Sequence, residues 1–218
     1  SLIFPGQMIK IPRQLTEVNG YLTRRGEEGE QIVRDIGEHL TYLSMFSYGI
    51  LEGGGLTQMQ ETGVLQEARQ RQIAPLMVIT NFAGRRFSPE LARSVLSDQA
   101  AQERLLTNIL AVMRDKGYRG LNIDFEYVYP ADRELYNQFL RRTVERLRPQ
   151  GYLISTALAP KVRAGQIGLL YEAHDYPVHG QLTDFVVLMT YEWGYAAGPP
   201  LAIAPINEVR RVLDYAVT

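Results

Sequence analysis

The sequence predicts an α/β protein, a parallel (β/α)8 TIM barrel of which about six βα units fall within the 218 residues. Three observations carry that expectation. Apolar stretches rich in β-branched residues alternate with helical patterns along the chain, the order expected of βαβ units. The strand stretches are nearly continuous apolar runs, as happens when helices cover a sheet. Polar and aromatic residues collect at the C-terminal ends of those runs, where such a barrel keeps its chemistry: Ser47 and Tyr48, Asn81, Asp124 and Glu126, Pro160 and Lys161, Tyr191 and Glu192. A doubly wound sheet usually carries a glycine-rich phosphate loop after its first strand. Neither G-x-G-x-x-G nor G-x-x-x-x-G-K-[ST] occurs.

Taken in order, Val18 to Leu22 is a short strand and Glu27 to Gly37 a helix. Leu40 to Ile50 is the second strand, Gly53 to Gly55 a loop, and Gln58 to Arg71 a helix. Ala74 to Phe82 is a buried third strand. Ser97 is placed to cap the next helix, whose Leu105, Ile109, Val112 and Met113 share a face and whose end is marked by Gly117. Gly120 to Val128 is the fourth strand, followed by a helix over Asp132 to Leu147. "YLISTALAP" is the fifth strand, Gln166 to Glu172 a short helix, "TDFVVLMTYEW" the sixth strand, and Pro205 to Val217 the last helix. A complete barrel takes eight units and roughly 250 residues. Six units therefore predict two more beyond Thr218, and the absence of an initiator methionine predicts residues ahead of Ser1.

Composition narrows the class. A formal net charge of −1 gives no basic surface for nucleic acid, and 45% hydrophobic residues is ordinary for a globular chain. No apolar run reaches the roughly 18 residues of a membrane span. Cysteine is absent, which removes thiol nucleophiles, thiolate metal sites and disulfides.

The fourth strand carries the chemistry. In "GLNIDFEYV", Leu121, Ile123 and Phe125 alternate with Asn122, Asp124 and Glu126, so an amide and two carboxylates share one face. No Lys or Arg occupies a neighbouring position on that face to make a structural ion pair. Two adjacent carboxylates in a confined site resist ionising together, and the retained proton is what a general acid needs. Asp124, Glu126 and Glu192 are also oxygen donors of the kind a divalent cation takes. That reading asks for further carboxylate or histidine ligands at other strand ends. His39 sits at a helix end, and His174 and His179 sit in the helix-to-loop segment "EAHDYPVHG". No metal or other cofactor is expected.

"RGLNIDFE" resembles the D-x-x-D-x-D-x-E signature of family 18 glycoside hydrolases, the chitinase-like barrels, which carry it on their fourth strand. Matched residue by residue, Glu126 falls on the proton donor and Asp124 on the Asp beside it, while Arg119 and Asn122 occupy the first two Asp positions. Asn122 is expected to hydrogen-bond Asp124 but cannot relay charge as a carboxylate would. "MTYE", Met189 to Glu192, resembles the family's M-x-Y-D on the sixth strand. That match implies that Tyr191 contacts the substrate's N-acetyl group. "NIDFEYVYP", "STALAPK", "LYEAHDY" and "VVLMTYEWGYAAGPPLAIAP" narrow the resemblance to the branch containing spore-cortex peptidoglycan hydrolases. Members of that branch tend to carry N-terminal LysM repeats, and "LIFPGQMIKIP" resembles the last strand of one. The domain reading is thus the tail of a LysM repeat over 1–12 and a family-18-like catalytic barrel over 13–218.

The resemblance implies a glycosidase acting next to N-acetylglucosamine in peptidoglycan or a chitin-like glycan, at a bacterial spore or cell envelope. Its catalytic residues would be Glu126, Asp124 and Tyr191. Asn122, Met189, Glu192, Trp193, Tyr48 and Asn81 would line the substrate, with Tyr127, Tyr129 and Tyr195 as further aromatics near the strand ends. The alternative is a non-catalytic glycan-binding barrel. Such lectin-like relatives typically lose the acidic Glu, which is retained here as Glu126.

Overall fold

The computed structural model describes residues 16–193, 198 and 200–218. Its strands are β1 (Asn19–Leu22), β2 (Tyr42–Gly49), β3 (Ala74–Thr80), a small hairpin of β4 (Phe82–Ala83) and β5 (Arg86–Phe87), then β6 (Gly120–Asp124), β7 (Leu153–Leu158) and β8 (Phe185–Leu188). The helices are α1 (Gly26–Ile36), α2 (Thr62–Gln70), α3 (Pro89–Leu96), α4 (Gln99–Lys116), α5 (Arg133–Leu147), α6 (Tyr176–Leu182) and α7 (Ile206–Ala216). Apart from the hairpin, the strands form one parallel sheet in the order β1-β2-β3-β6-β7-β8.

The sheet curls. Tyr42 of β2 and Phe185 of β8 stack at 5.3 Å although three strands separate them in the ladder. The Tyr21 hydroxyl of β1 likewise reaches Asn122 of β6, at 3.0 Å. Six consecutive strands of a (β/α)8 barrel, closing toward each other, give this arrangement. The pleat sorts the side chains. Met77, Ile79, Leu121, Ile123 and Ile154 point outward into the core shared with the helices, and Asn122, Asp124 and Ser155 point to the concave side. In the outer core Phe125 stacks on Phe139 of α5 at 5.9 Å and 7°. The chain's last helix is anchored by Tyr215 stacked on Tyr176 at 5.4 Å.

Helix ends follow local chemistry. Asp98 caps α4 by accepting from the Ala100 and Ala101 N–H groups at 2.8 and 3.2 Å. Gly117 closes α4 in the left-handed region at φ 69°. The Glu52–Gly54 turn lies so close to α4 that a Cβ on Gly54 would come within 2.1 Å of the Ala101 carbonyl.

Several expectations need correction. Ser97 is not the α4 cap; it ends α3, a helix that the sequence reading missed and that begins with Ser88 as its cap and Pro89 in its first turn. The hairpin β4–β5 was also missed, because two-residue strands carry no period. The stretch 166–172 is turns rather than helix, and α6 follows it instead. There Gly165 and Gly168 weaken the helical pattern, whereas Pro177 suits the first turn of α6. The fourth and sixth strands stop earlier than expected, at Asp124 and Leu188. Tyr127 and Glu192 beyond them take left-handed φ values of 54° and 59°, which no strand continues through. The suggested LysM tail over 1–12 and Tyr195 lie outside the described residues.

Candidate active site

The concave side opens at the C-terminal strand ends into a cleft of about 510 Å³. Asp124, Glu126, Tyr127, Met189, Tyr191, Glu192 and Trp193 line it, so the two acidic and aromatic motifs meet in space although about 65 residues separate them. Asp124 ends β6 and is 4% exposed. Its Oδ1 is buried without a hydrogen-bond partner among the described residues. Glu126 lies two residues on, half-buried at the cleft wall.

Its backbone is fixed by Asn81. The Asn81 Nδ2 donates to the Glu126 carbonyl at 2.8 Å, and the Glu126 N–H donates to Asn81 Oδ1 at 2.9 Å. This side chain therefore replaces the strand ladder where β6 stops. Asn81 itself is fully buried, so it positions the acid rather than touching a ligand.

Electrostatics follow from burial. Desolvation pushes the Asp124 carboxyl up to about 7. Glu126 is pushed up to about 8, mainly by desolvation, with the like charges of Asp124 and Glu192 adding to it. Near neutral pH the pair retains a proton. Tyr191 is 47% exposed and its hydroxyl is raised to about 12, first by burial and then by the neighbouring carboxylates, so it stays a donor. The Trp193 indole N–H donates to the Thr190 carbonyl at 3.1 Å, which fixes the ring at the cleft rim.

Other assigned residues also lie outside the cleft. Asn122 is fully buried under the floor, accepting from the Tyr21 hydroxyl and donating to Ser155 Oγ at 2.9 Å, so the expected bond to Asp124 is not the one formed. Tyr48 faces the helices. The β2–β3 register shifts between Met45 and Tyr48, around a cis Phe46–Ser47 peptide, and Tyr48 packs edge-on against Tyr118. Its hydroxyl donates to buried Glu61, which also pairs with Lys116 at 2.7 Å. Tyr129 is turned to a neighbouring groove, with its hydroxyl on Glu90 at 2.7 Å and Arg93 over its ring at 4.2 Å.

The sequence reading missed Tyr21, and it weighed His174 only as a metal-ligand candidate. Tyr21 lines the cleft, and its place two residues after Asn19, on the same polar face of the first strand, was the available signal. His174 is 1% exposed. The Ala159 N–H donates to its Nδ1 at 2.8 Å, which leaves the proton on Nε2 to donate to the Phe125 carbonyl at 2.9 Å. Burial holds the ring down at about 4, so it stays neutral. Nothing in one sequence marks this clamp between the ends of β6 and β7. Among the described residues no group of three His, Asp or Glu side chains is gathered to hold a metal.

The family model for "Glycosyl hydrolases family 18" matches residues 18–217. The chain belongs to glycosyl hydrolases family 18. Over 211 residues it is 45% identical to the cortical fragment-lytic enzyme of Bacillus subtilis (strain 168), covering 95% of this chain and 49% of that protein. The structure superposes on the spore cortex-lytic enzyme SleL of Bacillus cereus with a TM-score of 0.88 and 41% identity, covering 100% of this chain and 52% of that one. A chitinase from Chromobacterium violaceum ATCC 12472 shares the fold at a TM-score of 0.84 and 21% identity, over 93% of this chain and 64% of its own. The chain spans about half the length of the spore enzymes it matches. This family 18 fold accounts for the curled parallel sheet and for a cleft at its C-terminal strand ends.

Proposed function

We propose that the chain forms the catalytic part of a glycosidase that cuts β-1,4 bonds next to N-acetylglucosamine in bacterial spore-cortex peptidoglycan, at the spore or cell envelope. The observation that carries this is the Asp124–Glu126 pair: one carboxyl with an unpartnered, buried oxygen and one half-buried carboxyl that holds its proton at neutral pH, both in one cleft. Most glycosidases use two flanking carboxylates, but family 18 is among those in which the substrate assists.

The acetamido oxygen of the sugar in the cleft attacks its own anomeric carbon. The Glu126 carboxyl gives its proton to the glycosidic oxygen as that bond breaks, leaving an oxazolinium ion. Asp124 Oδ1 accepts the acetamido N–H and offsets the positive charge that develops there. The Tyr191 hydroxyl donates to the acetamido oxygen and orients it. Glu126, now a carboxylate, takes a proton from water as that water adds to the anomeric carbon. Two displacements at one carbon retain the configuration. Trp193 and Met189 form the apolar wall against which a sugar ring packs.

Mass spectrometry of cortex fragments incubated with the protein tests this, beside Glu126→Gln and with or without EDTA. New reducing-end N-acetylglucosamine should appear with the parent, unaffected by EDTA, and fall by about 10²–10⁴-fold in the variant. A parent that retains the glycan on a column yet releases nothing would instead be a binding barrel.

A further inference from the structure

Beside the cleft lies a second groove of about 580 Å³, which shares Phe87 and Tyr127 with it. We propose that this groove is an acid-recognising subsite, in which Arg85 and Arg86 bind a carboxylate carried by the sugar adjoining the one in the cleft. The proposal rests on the peptidoglycan reading above and names the substrate feature that would be selected.

Charge separates the two spaces. Three carboxylates, Asp124, Glu126 and Glu192, line the cleft, and among the described residues no Lys or Arg does. Two guanidinium groups line the groove, against the single carboxylate of Glu90. Both oxygens of Glu90 are already engaged, by the Tyr129 hydroxyl at 2.7 Å and the Ser88 hydroxyl at 2.9 Å. Among the described residues neither Arg85 nor Arg86 forms an ion pair. A neutral homopolymer would gain nothing from this change of sign along its path. A glycan whose neighbouring sugar bears an acid-ended substituent would place neutral sugar over the carboxylates and its negative charge on the arginines. Guanidinium groups match a carboxylate with paired N–H donors.

Position is fixed as well as charge. Arg85 lies in the turn of the β4–β5 hairpin after Gly84, which takes φ 66°, and Arg86 opens β5 beside Phe87, against which Phe82 packs edge-on at 5.1 Å. The Ser88 N–H donates to the Asn81 carbonyl at 2.9 Å, and Asn81 Nδ2 donates to the Ser88 carbonyl at 3.0 Å. The same Asn81 amide grips the backbone of Glu126. One buried side chain thus sets the hairpin's distance from the acid.

The experiment uses disaccharide-peptide oligomers from bacterial peptidoglycan, with free carboxylates or as methyl esters. kcat/KM for both is measured with the parent and with Arg85→Gln/Arg86→Gln, whose exposed positions leave the melting temperature as a check on folding. The parent should prefer the free acid at least about fivefold at low salt, with the preference shrinking as ionic strength rises, and the double variant should lose it. Calorimetric binding of the same two oligomers to Glu126→Gln reads the preference without turnover. Equal affinity or equal kcat/KM for acid and ester in the parent, or a preference that survives in the double variant, overturns the subsite. A parent that discriminates in binding but cleaves neither oligomer instead overturns the glycosidase reading.

Discussion

At Glu126, burial and two like charges act in the same direction, holding the carboxyl up at about 8. If Glu126 is the proton donor, the alkaline limb of kcat/KM tracks its ionisation. Removing the Glu192 charge favours the ionised form of Glu126, so Glu192→Gln should move that limb to lower pH; an unmoved limb would show that another group sets it. Asp124 makes a prediction about stability. Its carboxyl ionises near 3.8 when unfolded and near 7 in the buried native site. The native state thus binds the proton more tightly, a contribution fully present below pH 3.8 and lost as pH rises through about 7. Asp124→Asn should therefore be the more stable protein at pH 8, by up to about 4 kcal/mol, with the gain vanishing near pH 4 in denaturant titrations. Both carboxylates were legible in the sequence because strand alternation and local spacing suffice to pair them. The clefted Tyr21, the outward Tyr48 and the buried Asn122 were not, since each is placed by a partner at least 13 residues away.

Elements decide how that chemistry is held. Strand β6 ends at Asp124, and the acid stands on a loop gripped by Asn81 from the end of β3 and by His174 from the turn before α6. The histidine bridges two backbone groups, one beside the acid at Phe125 and one at the end of β7. His174→Ala leaves both without partners. It should lower the melting temperature by about 5–10 °C and reduce kcat more than it raises KM, since the acid loses its support while the cleft walls remain. A fall in stability with kcat intact would make the histidine structural only. The long helices were legible through their apolar faces, but not the start of α4: Ser97, read as its cap, ends α3, a short helix the sequence did not reveal, and Asp98 takes the capping role. Short elements, the hairpin among them, carry too few residues for any period to show.

Over the whole molecule, burial falls from the middle of the sheet toward its edges. Every residue of β6 is buried, whereas β8 is half-buried throughout and β1 buries only Leu22. Native-state hydrogen exchange should therefore be slowest in β3, β6 and β7 and fastest in β1 and β8; uniform protection would indicate that the edges are covered in solution. By itself the sequence determined the α/β class, the six parallel strands and the family, because strand and helix periods and the two acidic and aromatic motifs are local properties of the chain. Tertiary structure alone decided which polar residues face the cleft, which are buried beneath it and which stand behind the sheet. Curling brings β1 over β6, a register shift turns Tyr48 outward, and Asn81 ties the hairpin to the acid. Those outcomes depend on hydrogen bonds and packing between residues far apart in sequence, whose geometry no periodicity encodes.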